Sequence, residues 1–156
     1  MGAWVLSLLL LLQPEAPWRA SYPATARAIA EAAERSEPLF PGSDGRTHTA
    51  ALLVAVAYHE SRFDPKAVGD KGRSFGLFQL QRGGASNFTP AVAARRSLAF
   101  LRSSRNACRD RPEDERLAAY VSGRCDRGLE ASRARMRLGR SLVAGHPPPE
   151  PAQQAP

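Results

Sequence analysis

An unbroken apolar segment, Ala50–Ala57, constrains the fold of this 156-residue chain more than any other feature. Its residues are all small or aliphatic, so a helix formed from them has no polar face to turn toward solvent. A helix that is apolar on every side has to be surrounded by the rest of its domain. We therefore expect a buried central helix that begins near Thr47, its expected N-cap, and continues through Tyr58. A chain of this length forms one domain around one core.

The other patterns predict an α+β domain that is predominantly α-helical, with one small pair of strands. Ser74–Gln81 alternates apolar and polar residues, as a short strand does, and follows a Gly-rich turn. We expect the domain to span residues 21–145 and the proline-rich residues 146–156 to form a disordered tail. The further helices are expected over Ala24–Arg35, from Pro90 after the N-cap Thr89, over Glu113–Val121 before Gly123, and over Leu129–Val143.

The N-terminal apolar run, Trp4–Leu12, has the length of the core of a secretory signal. It is much shorter than the roughly 20 residues of a membrane-spanning helix, so no integral membrane span is expected. We interpret residues 1–20 as a signal peptide and expect an exported protein, periplasmic or extracellular. No Lys or Arg precedes the run, however. The alternative is an N-terminal helix that packs on the domain.

The two cysteines, Cys108 and Cys125, are relevant to the same question. In an exported protein they can form a disulfide that closes a loop of about 17 residues, worth roughly 3 kcal/mol. The alternative is a pair of buried free thiols. Two cysteines without partnering ligands cannot form a four-ligand zinc site, and we expect no metal and no other cofactor.

The net charge of +7 is concentrated in the second half of the chain, where residues 95–140 contain 13 basic and 6 acidic residues. Such a field favours polyanionic partners: nucleic acid, anionic lipid or an acidic wall polymer. Acidic residues are interspersed with these arginines and aromatic residues are scarce there, which argues against base stacking on single strands. We expect no nucleic-acid partner, and we expect a monomer.

Glu60 is the first candidate for chemistry, because it follows the apolar run at the end of the predicted central helix. Burial and the negative end of the helix dipole both raise the pKa of a carboxyl group there. A carboxyl group that holds its proton near neutral pH can act as a general acid. The alternative is a solvated glutamate at a helix end. A zinc-protease motif is excluded, since Phe63 stands where the second histidine would follow His59.

Three short motifs follow one another in the chain: Glu60-Ser61, then Gly76-Leu77-Phe78-Gln79, then Ala119-Tyr120-Val121-Ser122-Gly123. In this order they resemble the soluble lytic transglycosylase (SLT) catalytic domain family of the lysozyme-like superfamily. That family has the motifs Glu-Ser, Gly-Leu-Met-Gln and Ala-Tyr-Asn-x-Gly. The resemblance covers roughly residues 48–125. It implies a lysozyme-like fold with a small β-hairpin beside the catalytic cleft.

The resemblance also implies a reaction on the glycan strands of peptidoglycan. One carboxyl group, Glu60 by position, protonates the β-1,4 glycosidic oxygen between N-acetylmuramic acid and N-acetylglucosamine. It then accepts the proton of the C6 hydroxyl, which closes a 1,6-anhydro ring, while the acetamido group of the substrate stabilises the cationic centre. The same resemblance implies substrate-binding roles for Ser61, Gln79, Tyr120, Phe78 and Gly76.

Each of these residues also has a purely structural interpretation. Ser61 either orients the carboxyl group or caps the helix end. Gln79 corresponds to a glutamine that hydrogen-bonds near the substrate, and Tyr120 either lies with its hydroxyl close to the acid or is a core aromatic. Phe78 is a wall or core residue, and Gly76 allows a close backbone approach.

The sequence departs from the family motifs at two positions, Phe78 for methionine and Val121 for asparagine. The second departure removes an amide, which puts substrate affinity and the preference for ring closure over hydrolysis in doubt. Two alternatives therefore stay open: a lysozyme-type hydrolase with Asp64 or Asp70 as its second carboxylate, and a non-catalytic wall-binding protein. A bridge between the two cysteines would in addition hold Tyr120 against the cleft.

Overall fold

The computed structural model describes residues 1–81 and 88–149. Within these ranges, two single turns of 3-10 helix, Arg19–Ser21 and Glu113–Glu115, connect longer elements. The α-helices of the described residues are α1 (Gly2–Leu12), α2 (Tyr22–Arg35), α3 (Gly45–Ser61), α4 (Pro90–Ala107), α5 (Ala118–Ser122) and α6 (Leu129–Gly145). The strands are β1 (Val68–Gly69), β2 (Ser74–Phe75) and β3 (Leu80–Gln81).

Helix α3 is the buried central helix that the sequence predicts. All residues from Thr49 to Ala57 are buried, and α3 packs against α1, α2, α4 and α6. The helix begins at Gly45, so the N-cap expected at Thr47 is wrong by a few residues. Tertiary contacts fix its start instead: the Thr49 hydroxyl donates to the Gly45 carbonyl at 2.7 Å and accepts from the Leu39 amide at 2.8 Å.

The strand predicted over Ser74–Gln81 is interrupted. Its two ends form β2 and β3, and these pair antiparallel in a three-stranded sheet of order β1-β2-β3. Between them the chain turns, with positive φ at Gly76 and Gln79, and buries Leu77 and Phe78 side by side instead of alternating them. The expected pair of strands is therefore a sheet of three. The class is confirmed: mostly helical, α+β, consistent with a lysozyme-like fold.

The other helices agree with their predicted positions, with small changes at the ends. The Thr89 hydroxyl caps α4 by accepting from the Val92 amide at 3.3 Å. The segment Glu113–Val121, predicted as one helix, is a 3-10 turn followed by α5. Gly123, with φ +77°, ends α5 as expected.

Helix α1 packs on α2 and α3 and buries Trp4, Val5, Leu8 and Leu9. The Trp4 indole donates to the His146 carbonyl at 2.7 Å, which joins α1 to the residue that follows α6. This is the packed helix of the alternative interpretation, and signal cleavage remains a prediction. No helix among the described residues has both the length and the apolar character of a membrane span. The predicted disorder of the tail falls largely on residues 150–156, which lie outside the described residues.

The predicted disulfide between Cys108 and Cys125 is present, with 5.4 Å between the Cα atoms. Cys108 directly follows α4, and Cys125 lies in the loop after α5. The bridge therefore fastens the end of a long helix to the segment that carries the third motif.

Candidate active site

A cleft of about 640 Å³ lies between the turn and sheet region on one side and helices α4, α5 and α6 on the other. It brings together residues from all three sequence motifs. Its wall is formed by Glu60, Asp70, Phe78–Gln81, Phe100, Ser103, Ser104, Ala107, Ala119–Gly123 and Arg135.

Glu60 lies in the last turn of α3, with 18% of its side chain exposed. Its Oε1 atom accepts two hydrogen bonds from the guanidinium of Arg135, 2.8 Å from Nη2 and 3.2 Å from Nε. Arg135 itself is buried, so the pair is a partly desolvated ion pair at the wall of the cleft.

Burial raises the pKa of Glu60 above its ordinary value. The positive charge and hydrogen bonds of Arg135 oppose this shift, and the negative charge of Asp70 adds to it. Burial prevails, because a carboxylate at the end of an apolar helix loses more hydration than one guanidinium replaces. The direction of this pKa shift agrees with the prediction from the sequence.

The turn between β2 and β3 carries the second motif, and its side chains divide between the core and the cleft. Phe78 is buried and lines the cleft together with Gln79. The Gln79 amide nitrogen donates to the carbonyls of Gly76 at 3.0 Å and Ala67 at 3.2 Å. A Cβ atom on Gly69 would lie 2.2 Å from Gln79 Oε1, so only glycine leaves room for this amide. Gln79 thus holds the turn in shape while facing the cleft.

Ser61 and Gly76 support the site from behind its wall. The Ser61 hydroxyl lies 2.9 Å from the Leu77 carbonyl and 3.2 Å from the Ala57 carbonyl, so it joins the end of α3 to the second motif. Gly76, with φ +69°, allows the turn that its amide anchors on the Ala67 carbonyl at 2.8 Å. Neither residue is among the described residues that line the cleft.

Tyr120 joins the third motif to the second. Its hydroxyl donates to the Phe78 carbonyl at 3.2 Å and lies 3.4 Å from the Ser97 hydroxyl, and its amide donates to Ser104 Oγ at 2.9 Å. Burial, and next the negative charge of Glu60, raise the pKa of Tyr120 far above its ordinary value. The phenol therefore stays neutral and serves as a hydrogen-bond donor. Val121, at the position of the motif asparagine, also lines the cleft.

The cleft residues that sequence reasoning missed include Phe100 and Arg135. Phe100 is 50% exposed and lines the cleft from α4. Arg135 is one of four arginines in α6, and the composition of this helix does not distinguish it from the other three. A signal existed in the helical period, because Arg135 lies on the buried stripe of α6, which consists of Ser132, Arg135, Met136, Gly139 and Leu142. An arginine on a buried stripe needs a partner, and here the partner is the candidate acid.

Residues 40–110 match the family model of the transglycosylase SLT domain. This segment of the chain is therefore similar to an SLT domain. The matched segment contains Glu60, the three-stranded sheet and α4, and it ends before α5 and α6. No curated protein and no solved structure matches the chain significantly. The SLT domain indicates a peptidoglycan-related function of the transglycosylase type.

Proposed function

We propose that this SLT protein is a peptidoglycan lytic transglycosylase with Glu60 as its one catalytic acid and base. It cleaves the β-1,4 bond between N-acetylmuramic acid and N-acetylglucosamine and leaves 1,6-anhydro ends. One observation carries the proposal: within an SLT domain, a mostly buried glutamate with a raised pKa lies at the wall of a cleft. A raised pKa favours the protonated carboxyl group that general-acid catalysis requires.

In the first step the Glu60 proton moves to the glycosidic oxygen, and the electron pair of the C1–O bond leaves with that oxygen. The carbonyl oxygen of the 2-acetamido group of the substrate stabilises the positive charge at C1. In the second step the Glu60 carboxylate accepts the proton of the C6 hydroxyl while O6 bonds to C1. The glutamic acid is restored and no water is consumed.

The walls of the cleft provide the groups that hold a glycan strand. Gln79 and Tyr120 contribute polar groups, while Phe78 and the half-exposed Phe100 contribute aromatic surface, the usual mixture in a carbohydrate-sized site. Ser61 and Gly76 act indirectly, by fixing the turn that carries Gln79. An exported protein in the periplasm or outside the cell meets this substrate, and the disulfide is consistent with export.

Hydrolysis on the same fold is the second candidate, and the structure favours Asp70 over Asp64 as its second carboxylate. Asp70 lines the cleft with Glu60, and its charge contributes to the raised pKa of Glu60. Asp64 instead accepts a hydrogen bond from the Lys66 amide at 2.8 Å within its own turn.

Product analysis separates these candidates. We expect the wild type to release glycan fragments that are lighter by one water than reducing ends, measured by mass spectrometry of digested peptidoglycan. Glu60→Gln should fold, because the amide replaces the neutral acid, and should lose activity by a factor of 10² or more, the roughly 10²–10⁴-fold contribution of a general acid. Glu37→Gln, an exposed carboxylate of the same type, is the matched control.

Three results would contradict the proposal. Full wall lysis by Glu60→Gln would exclude Glu60 as the acid. Reducing ends from the wild type, lost in Asp70→Asn, would identify the hydrolase. Binding of peptidoglycan without any fragments from the wild type would identify a non-catalytic wall protein.

A further inference from the structure

Arg135 is an unusual arginine, since only 10% of its side chain is exposed. All three of its guanidinium nitrogens have acceptors: Nε and Nη2 donate to Glu60 Oε1, and Nη1 donates to the Ala131 carbonyl of its own helix at 2.8 Å. The guanidinium is therefore tied at one edge to α6 and at the other to the carboxyl group. These hydrogen bonds therefore fix the orientation of the guanidinium relative to both α6 and the carboxyl group of Glu60.

Helix α6 is itself held rigidly beside the site. A Cβ atom on Gly139, one turn after Arg135, would lie 3.3 Å from the Cα of Leu52, so the glycine brings α6 against the backbone of α3. The Ser132 hydroxyl, one turn before Arg135, donates to the Asp114 carbonyl at 2.7 Å and accepts from the Leu117 amide at 3.1 Å. These contacts fix α6 to the helix that carries Glu60 and to the segment that leads into α5.

The two oxygens of Glu60 have different surroundings. Oε1 accepts both Arg135 hydrogen bonds, whereas within the described part of the chain Oε2 has no hydrogen-bond partner. A guanidinium has donors only, so an O–H group at Oε1 would point a proton at other protons. When Glu60 is neutral, Oε1 is consequently the carbonyl oxygen and Oε2 holds the proton.

We propose that Arg135 is the positioning residue of the general acid: it holds Oε1 of Glu60, so that Oε2 carries and transfers the proton. This inference rests on the proposed function of Glu60. Arg135 lines the cleft, but its guanidinium donates to Glu60 and to its own helix, so it acts on the reaction through Glu60. It keeps the carboxyl plane in one orientation through both steps, and it stabilises the carboxylate that exists between them. The proton leaves from Oε2 and returns to Oε2.

The pH dependence of activity reports on this contact. The charged and titratable groups that face Glu60 are Arg135 from α6, Asp70 from the turn after β1, Tyr120 from α5, and the neighbouring His59 of α3. Arg135 lowers the pKa of Glu60, so its removal raises that pKa and extends activity to higher pH. Burial first, and then the charges of Arg135 and Arg62, lower the pKa of His59. His59→Gln therefore serves as a background that removes the second titration.

Kinetics of Arg135→Met, Arg135→Lys and the control Arg137→Met test the inference. Arg137 lies on the exposed side of the same helix and pairs with Glu130, so its loss changes the net charge equally. For Arg135→Met we expect kcat to fall about 10–100-fold, the typical cost of a misplaced catalytic group. We also expect the alkaline limb of the pH profile of kcat to shift to higher pH by about one unit or more, because Glu60 loses a close opposite charge. Arg135→Lys keeps the positive charge, so the alkaline limb of its pH profile should stay closer to that of the wild type. Its kcat should still be reduced, because lysine does not reproduce the two guanidinium hydrogen bonds to Glu60.

The control Arg137→Met should match the wild type in kcat and in the position of the alkaline limb. A reduced kcat for Arg135→Met with an unmoved alkaline limb would overturn the inference, because a purely structural role predicts that result. Should Arg135→Met fail to fold, titration of the Glu60 carboxyl carbon by ¹³C NMR in the wild type and Arg135→Gln decides, because glutamine also removes the positive charge that lowers the pKa of Glu60; identical titrations would overturn the inference. An active Glu60→Gln variant would instead disprove the proposed function, and the two failures are distinguishable.

Discussion

The Tyr120 hydroxyl connects two walls of the cleft, since it lies on α5 and donates to the carbonyl of Phe78 in the β2–β3 turn. Its strongly raised pKa makes it a poor proton acceptor or donor for chemistry near neutral pH. Besides lining the cleft, Tyr120 therefore has contacts that indicate a positioning role for the turn relative to Glu60.

Tyr120→Phe tests this role. We expect activity to fall by about tenfold at most, because a neutral hydrogen bond contributes roughly 0.5–1.5 kcal/mol and each 1.4 kcal/mol is tenfold in rate. The measurement is the initial rate of glycan release beside the melting temperature. Tyr58→Phe, which removes a hydroxyl outside the residues that line the cleft, is the control. A loss of a thousandfold or more would show instead that Tyr120 takes part in proton transfer.

The sequence predicted the burial of Glu60 better than its surroundings. This burial follows from local order, because an apolar run places the next carboxyl group at a buried helix end. Arg135 lies 75 positions further along the chain, and only the crossing of α3 and α6 brings the two together. The role of Ser61 is likewise tertiary, since its hydroxyl acts on the carbonyl of Leu77.

The disulfide joins two elements of the cleft wall, α4 and the loop after α5. Reduction, or the double variant Cys108→Ala/Cys125→Ala, should lower the melting temperature by about 6–12 °C. This follows from roughly 3 kcal/mol for a loop of this size and about 2–4 °C per kcal/mol for a domain of this length. We expect activity to fall several-fold as well, since Tyr120 loses part of its support. Thermal unfolding and glycan release with and without reductant measure both effects.

The double variant is also the control for this experiment, because reductant should change nothing further in it. Unchanged melting temperature and activity in the reduced wild type would refute a structural role for the bridge. Retained activity with a lowered melting temperature would show that the Ser104 and Phe78 contacts suffice to hold Tyr120.

Periodicity and capping residues predicted the helices, but they did not predict the three separate strands of the sheet. The pattern of α4 with the cap Thr89 is local, and its predicted start agrees with the structure. Each strand is two residues long, too short for an alternating pattern. The turn between β2 and β3 depends on a left-handed Gln79, a residue type that rarely adopts this conformation, and its amide contacts with Gly76 and Ala67 compensate.

The charge asymmetry of the whole molecule is partly compensated on the surface. In the second half of the chain several arginines form ion pairs: Arg105 and Arg140 with Glu113, Arg133 with Glu115 and Glu130, and Arg137 with Glu130. Sequence counting predicted the net charge but not this pairing. The pairs of Arg133 with Glu115 and of Arg140 with Glu113 depend on α6 lying beside the 3-10 turn at Glu113–Glu115. Fewer arginines are therefore available to a polyanionic partner on this surface than the count of arginines indicates.

The stability of the whole domain should vary with pH through Glu60. Its folded-state pKa is raised above the value in the unfolded chain, so the folded state binds the proton more tightly. The stabilising contribution of the protonated group is complete below the unfolded-state pKa and is lost as the pH rises through the folded-state pKa. Glu60→Gln keeps a neutral side chain whose oxygen still accepts from Arg135, so it does not lose this contribution. The melting temperature of Glu60→Gln relative to the wild type should therefore increase with pH over that window.

Thermal unfolding of the two proteins at closely spaced pH values from 4 to 8 measures this difference, at about 2–4 °C for each kcal/mol. Glu37→Gln, an exposed glutamate, should give a nearly constant difference over the same range. If the difference instead decreases with pH, the attraction of Arg135 outweighs burial and Glu60 is ionised in the resting protein. Proton transfer from Glu60 would then require the substrate to drive out water or displace Arg135 first.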